Sequence, residues 1–237
     1  MEILIEYGAE IKLCESELLS EACNNGNIEM LKFLIDNGAD INSGDPYSLC
    51  IACHNGSEPV IKFLIENGAK VNGNEHDPRL PLIEACGNKI DNEKIIKYLV
   101  EHGADPNKKD KNGATALWNA CIHSNEIIIK YLIDHGADVN SIIDIKFDKY
   151  ETYHYDNSGI WYFDHLKKWK EADKSLKQVR ITALAEVCKN GNEKLIKYLV
   201  SKGANINETV YLDPEDQHET SLSIATEKGY GKIINYH

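Results

Sequence analysis

Two cysteines, Cys50 and Cys53, stand three positions apart and His54 follows at once. Cys-x-x-Cys is the spacing of a redox pair or of half a zinc site. A zinc site needs about four ligands. This pair occurs once, the next histidine is His76, and no ligand spacing connects them. Cys53 also belongs to a row. Cys23, Cys53, Cys86, Cys121 and Cys188 directly follow Ala22, Ala52, Ala85, Ala120 and Val187. A slot refilled by cysteine at intervals reads as a small apolar packing position. Copies one interval apart are too distant for a disulfide. Seven cysteines, an odd number, fit a reducing compartment. The expected location is therefore cytoplasmic, with the nucleus as a second site, and not secreted.

Other chemistry finds no residues to carry it. There is no Gly-rich phosphate loop and no Gly-x-Ser-x-Gly. Asp and Glu are spread evenly, and no carboxylate pair stands out as acid and base. The sequence predicts no enzyme, no catalytic residue, no metal and no cofactor. Lys167, Lys168, Lys170, Lys174, Lys177 and Arg180 form a basic cluster, but Glu171 and Asp173 interrupt it. It reads as a solvated helix face. Net charge is −12, which repels phosphate backbones, so no nucleic acid is expected. No run of 18 apolar residues exists, so no membrane span is expected. A neutral or basic protein partner fits this charge best.

What would position such surface chemistry is a repeated phrase, Leu-(Ile/Val)-x-x-Gly-Ala-x-x-Asn. It occupies Leu34–Asn42, Leu64–Asn72, Leu99–Asn107, Leu132–Asn140 and Leu199–Asn207, and a worn copy begins at Leu4. The phrase glycines Gly8, Gly38, Gly68, Gly103, Gly136 and Gly203 are separated by 30, 30, 35, 33 and 67 residues. A fixed period in the 20–50 range marks a solenoid or array.

The unit is clearest over residues 109–140. Asn112-Gly113 is a turn, and Thr115 stands as N-cap of a short helix reaching Cys121. Ser124-Asn125 breaks it, and Glu126 to Ile133 forms a second helix ending at Gly136. Helices this short are marginal alone, so units must stack to bury their apolar faces. Lys62, Lys97, Lys130 and Lys197 each have a glutamate four residues earlier, which predicts self-paired lysines on a solvated face. The row Phe33, Phe63, Tyr98, Tyr131, Tyr198 predicts packing between units. His102 and His135 precede phrase glycines, where they can cap helix carbonyls.

These residues resemble ankyrin repeat proteins, whose unit is a β-turn and two antiparallel helices opening on Thr-Pro-Leu-His. The versions here are Leu80-Pro81-Leu82-Ile83, Thr115-Ala116-Leu117-Trp118, Thr182-Ala183-Leu184-Ala185 and Thr220-Ser221-Leu222-Ser223, with more distant copies at Glu17 and Tyr47. No copy keeps the histidine, and half lack the threonine. The Ile-, Asn- and Lys-heavy style is similar to arrays of large DNA viruses of amoebae. The resemblance implies an all-α ankyrin-repeat solenoid of stacked helix pairs with β-turn fingers. It also implies a non-catalytic interaction scaffold or adaptor that uses loop tips and the inner, first-helix face. Partner contacts would then fall on Tyr47, Arg79, Lys111, Asn112, Trp118 and His123. Some ankyrin arrays are substrates of an asparaginyl hydroxylase that reads a leucine, an acid six residues on, then asparagine. Asn42, Asn107 and Asn140 match, whereas Asn207 has Asn205 in place of the acid. The alternative is that each asparagine braces its own turn.

One connection departs from the period. From phrase Asn to the next unit's Leu, Asn42–Leu49 spans 7, Asn72–Leu82 and Asn107–Leu117 span 10, Asn207–Leu222 spans 15 and Asn140–Leu184 spans 44. The domains expected are repeats over 1–140, an inserted finger over 141–180, and repeats over 181–237. The insertion holds eight of the 19 aromatics: Phe147, Tyr150, Tyr153, Tyr155, Trp161, Tyr162, Phe163 and Trp169. Disordered linkers are poor in aromatics, so an ordered insertion is predicted. A strand is expected at Ile143–Asp148, a turn at Asp156–Gly159 and a helix from Ile160 to about Lys177. Two roles are open. The loop is a binding hot spot using Tyr150, Tyr153, Tyr155, Trp161, Phe163 and Trp169, or a minicore folded onto its neighbours. A smaller departure, Gly87 to Asn92, lengthens one turn between helices by two residues.

Aligned on the unit, the chain opens and stops inside a second helix, which predicts open array ends that meet a second copy or belong to a longer array. Two alternatives to a partner-binding scaffold follow: a substrate adaptor of a ubiquitin ligase, or a self-associating assembly protein.

Overall fold

The computed structural model describes residues 14–43, 48–73, 79–87, 92–110, 113–146, 178–210 and 219–230. Among these lie eleven helices, and contacts divide the chain into two units, Met1–Asp105 and Pro106–His237. The first unit holds three helix pairs: α1 (Glu15–Asn24) with α2 (Ile28–Asp36), α3 (Ser48–Asn55) with α4 (Glu58–Glu66), and α5 (Pro81–Gly87) with α6 (Glu93–Glu101). First helices pack on first helices, α1 on α3 and α3 on α5, and second helices likewise, α2 on α4 and α4 on α6.

The second unit holds α7 (Ala116–Ile122) with α8 (Glu126–Asp134), then strands β1 (Ile142–Lys146) and β2 (Gln178–Thr182). It continues with α9 (Ala183–Asn190), α10 (Glu193–Ser201), β3 (Thr209–Val210), β4 (Glu219–Thr220) and α11 (Ser221–Glu227). α9 packs between α7 and α11. The expected all-helical class therefore holds for the pairs, while two fingers are antiparallel two-stranded hairpins, β1–β2 and β3–β4.

The local reasons are legible residue by residue. Asn27, Asn125 and Asn192 cap second helices by accepting from the amides of Met30, Ile128 and Leu195. Thr115, Thr182 and Thr220 cap first helices in the same way. Each second helix ends on a phrase glycine with φ between 88° and 91°, a left-handed conformation that favours glycine. The leucine that opens the phrase (Leu34, Leu64, Leu99, Leu132, Leu199) is 0% exposed in all five copies. Burying one such side chain stabilises by roughly 1.5–3 kcal/mol.

Several expectations find direct counterparts. Lys62, Lys97 and Lys130 pair with Glu58, Glu93 and Glu126 at 2.7, 2.5 and 3.9 Å. Lys62 lies 5.6 Å over the Tyr98 ring of the next pair, and Lys130 lies 5.6 Å over that of Tyr198. His102 and His135 set Nδ1 2.8 Å from the backbone carbonyls of Tyr98 and Tyr131, and the imidazoles lean at 33° and 32° against the rings of those tyrosines. Cys23, Cys50, Cys53, Cys86, Cys121 and Cys188 are buried, unbridged thiols. Burial pushes the Cys23 and Cys188 thiols up to about 12, as expected of apolar packing positions.

Candidate functional site

The inserted finger begins and ends on a ladder of backbone bonds. Ile142 to Lys146 pair with Thr182 to Gln178 in antiparallel register. Ile143 stands opposite Ile181, and both are fully buried, as is Val179. The strand expected at Ile143–Asp148 appears as β1, beginning one residue earlier, while Phe147 and Asp148 lie outside the described residues. Its partner β2 was not predicted, although Val179 and Ile181 alternate as Ile143 and Ile145 do.

Arg180 ties this stem to the following finger. One guanidinium nitrogen lies 2.8 Å from Glu208, another 3.6 Å from Asp144, and Nε donates to the Thr209 carbonyl at 3.2 Å. The assignment of Arg180 to a solvated helix face is therefore corrected: it is a half-buried strand residue between two acids. On the other side, Lys109 Nζ donates to the Ile142 carbonyl at 3.2 Å. In this unit, a basic residue from each of two fingers thus reaches the next one.

A second tie runs through the phrase asparagines. Asn42 donates to the Gly68 carbonyl at 3.1 Å and accepts from the Lys70 amide at 2.9 Å. Asn72 does the same with Gly103 and Asp105 at 2.9 and 2.8 Å, and Asn107 with Gly136 and Asp138 at 2.8 and 2.7 Å. Asn140 donates to Gly203 at 3.0 Å and accepts from Asn205 at 2.7 Å, across the whole insertion. The reading that each asparagine only braces its own turn is corrected, because in each case one side-chain bond given and one accepted join it to the next phrase. In the worn first copy the equivalent position is Lys12, and Glu15 Oε2 accepts from the Asp40 amide instead, at 3.2 Å. Nothing in the spacing announced that replacement.

Asn42, Asn107 and Asn140, the residues matching the hydroxylase pattern, are all members of this bridge. Of the residues expected to meet a partner, His123 is the half-buried C-cap of α7. Trp118 and Arg79 are 1% and 7% exposed, so both are corrected from surface contacts to packing residues. Trp118 fills the slot held by Ser20, Cys50, Ile83, Ala185 and Ser223 in the other first helices, which is buried at Cys50, Ile83 and Ala185, half-buried at Ser20 and exposed at Ser223. Tyr47, Lys111, Asn112, Tyr150, Tyr153, Tyr155, Trp161, Phe163 and Trp169 lie outside the described residues, as do the turn and helix expected within 156–177 and most of the widened turn at 88–91. The structure therefore brings together the stem and its clamps, and leaves the predicted aromatic contacts to sequence alone.

Among the described residues no group of three or more His, Cys, Asp or Glu could hold a metal ion, and no helix is long and apolar enough to cross a membrane. Cys50 and Cys53 are both buried in α3.

A family model for ankyrin repeats (3 copies) matches residues 1–75 and 49–143, and a single ankyrin repeat model matches 179–208. No curated protein matches the chain. Proteins of ankyrin type are generally protein–protein interaction modules rather than enzymes. The matches end inside β1 and resume inside β2, on either side of residues 144–178, and with phrases, helix pairs and bridges agreeing, the chain belongs to the ankyrin repeat family.

Proposed function

We propose that this protein is an adaptor that captures a partner protein through its fingers, the inner face of its first helices and above all the 141–180 insertion. The observation that carries the proposal is the Asn140 bridge. It closes onto Gly203 and Asn205 as Asn107 closes onto Gly136 and Asp138, so the bridge across the insertion has the same geometry as the one across an ordinary connection. A segment rich in Tyr and Trp, inserted where the bridge closes as in an uninterrupted connection, is the kind selected for recognition, since these side chains dominate interface energetics. The net charge of −12 favours a neutral or basic surface on the partner.

The test replaces 147–177 by an Asn-Gly turn joining Lys146 to Gln178. Both chains serve as bait in extracts of the native cell, with mass spectrometry of what each retains and circular dichroism melts of each. The reading expects proteins held by the full chain and lost by the shortened one, with nearly coincident melts. A collapsed melt would make the insertion a minicore instead. Equal capture by both chains would move recognition to the other fingers. Ligase subunits among the captured proteins would specify a ubiquitin-ligase adaptor, and copies of the chain itself would specify assembly.

A further inference from the structure

Of the five asparagines that close the phrases and bridge forward or stand where that bridge would start, four are followed by a residue with a side chain: Ser43, Lys108, Ser141 and Glu208. Asn72 is followed by Gly73. An unhindered glycine amide is the most effective internal nucleophile toward an asparagine side chain. The Gly73 nitrogen can attack Asn72 Cγ and form the new C–N bond. The Cγ–Nδ2 bond then breaks, and Nδ2 leaves as ammonia with the Gly73 proton. Water opens the resulting imide at either carbonyl, giving an aspartyl or an isoaspartyl linkage at position 72.

The glycine itself is constrained. A Cβ on Gly73 would lie 3.2 Å from Leu80 Cδ2 and 3.3 Å from the Arg79 carbonyl, on a backbone with φ of 75°. The fold thus places a reactive pair inside the bridge between the second and third helix pairs. It also restrains that pair. The Asn72 amide is turned onto Gly103 and Asp105, and the Gly73 N–H donates to the Lys70 carbonyl at 3.0 Å. Both reacting groups must leave those bonds for the attack to proceed.

We propose that Asn72-Gly73 is a self-modifying site whose reaction is gated by the inter-repeat bridge and, once complete, severs it. Either product lacks the Nδ2 donor and sets carboxylate oxygen against the Gly103 carbonyl, an acceptor facing an acceptor. That repulsion turns the carboxylate off Gly103 and so weakens the bond its other oxygen takes from the Asp105 amide.

The test incubates the full chain in mildly alkaline buffer at body temperature, folded and in urea, with peptide mapping and isoaspartyl methylation over several weeks. Conversion at position 72 should outrun that at Asn42 in both conditions. It should run on the order of tenfold faster in urea, the ratio expected if a bond pair of about 1.4 kcal/mol restrains it. Hydrogen exchange then reads the consequence: in the converted chain and in Asn72→Asp, protection of the Asp105 amide should fall about tenfold or more, while the Asp138 amide, held by Asn107, keeps its own. Equal folded and unfolded rates would overturn the gating. Full protection of Asp105 in the converted chain, or conversion at Asn42 matching that at Asn72, would overturn the site itself.

Discussion

Within the second unit, two junctions perform the same task across very different lengths of chain. Asn107 reaches a phrase 29 residues on, and Asn140 one 63 residues on, yet both donate to a glycine carbonyl near 3 Å and accept from the amide two residues later. The difference lies in what surrounds them. The interrupted junction also has Lys202 bound to Asp134 at 2.9 Å and lying 5.4 Å over the Tyr198 ring. The comparison teaches that stacking is decided by the surfaces of the pairs and hardly by the length of chain between them. Closing a longer loop costs only about 0.6 kcal/mol per doubling of length.

The comparison can be broken at several levels. Leu132→Ala and Leu199→Ala remove fully buried side chains on either side of the insertion, and each should cost about 2–5 kcal/mol in urea titrations, by similar amounts. A much milder Leu199→Ala would mean the later pair is loosely held. Asn107→Ala and Asn140→Ala should each cost about 0.5–1.5 kcal/mol, because each removes two side-chain bonds near the surface, where water takes the freed amide and carbonyl. A neutral Asn140→Ala would show that the interrupted junction depends on other contacts. The turns between helices sharpen the contrast. Ser124 holds φ of 52° where the later pair has Gly191 at 72°. Ser124→Gly should stabilise by about 1 kcal/mol, since a side chain is unfavourable there. Gly191→Ala should destabilise, since its Cβ would fall 2.7 Å from the Tyr230 hydroxyl. Thermal melts of the two variants should move in opposite directions.

The smallest effect concerns Lys202→Ala. The ammonium beside Asp134 holds that carboxyl below the usual carboxylate range. The fold therefore gains from this pair above the ordinary carboxylate pKa and loses it as pH falls through the lowered value. Both groups are solvated, so the gain is slight and salt-sensitive. Melts of wild type and Lys202→Ala should converge in acid and separate slightly at neutral pH and low salt.

The repeat unit was legible because its signals are local. A left-handed glycine, a capping Thr or Asn and a leucine, recurring at 30 to 35 residues and at 67 across the insertion, are each read within one helix length. Glu126 and Lys130 announce their pairing by a spacing of four. The candidate site was less legible. Arg180 sits in a run of lysines, and only its pairing with Ile143's strand turns it toward Asp144 and Glu208. Trp118 looks like a binding aromatic until its burial is known, because a large side chain on a first helix has the same sequence signature whichever way it faces.

The sequence by itself determined the period, the helix pairs, their caps and the place of the insertion, because these follow from contacts within a few residues along the chain. The tertiary structure alone decided that the phrase asparagines reach forward to the next phrase, that Glu15 stands in for a missing one, and that Arg180 fastens two fingers. Those bonds join residues about 25 to 65 positions apart, and their geometry exists only once the apolar faces of neighbouring pairs have met.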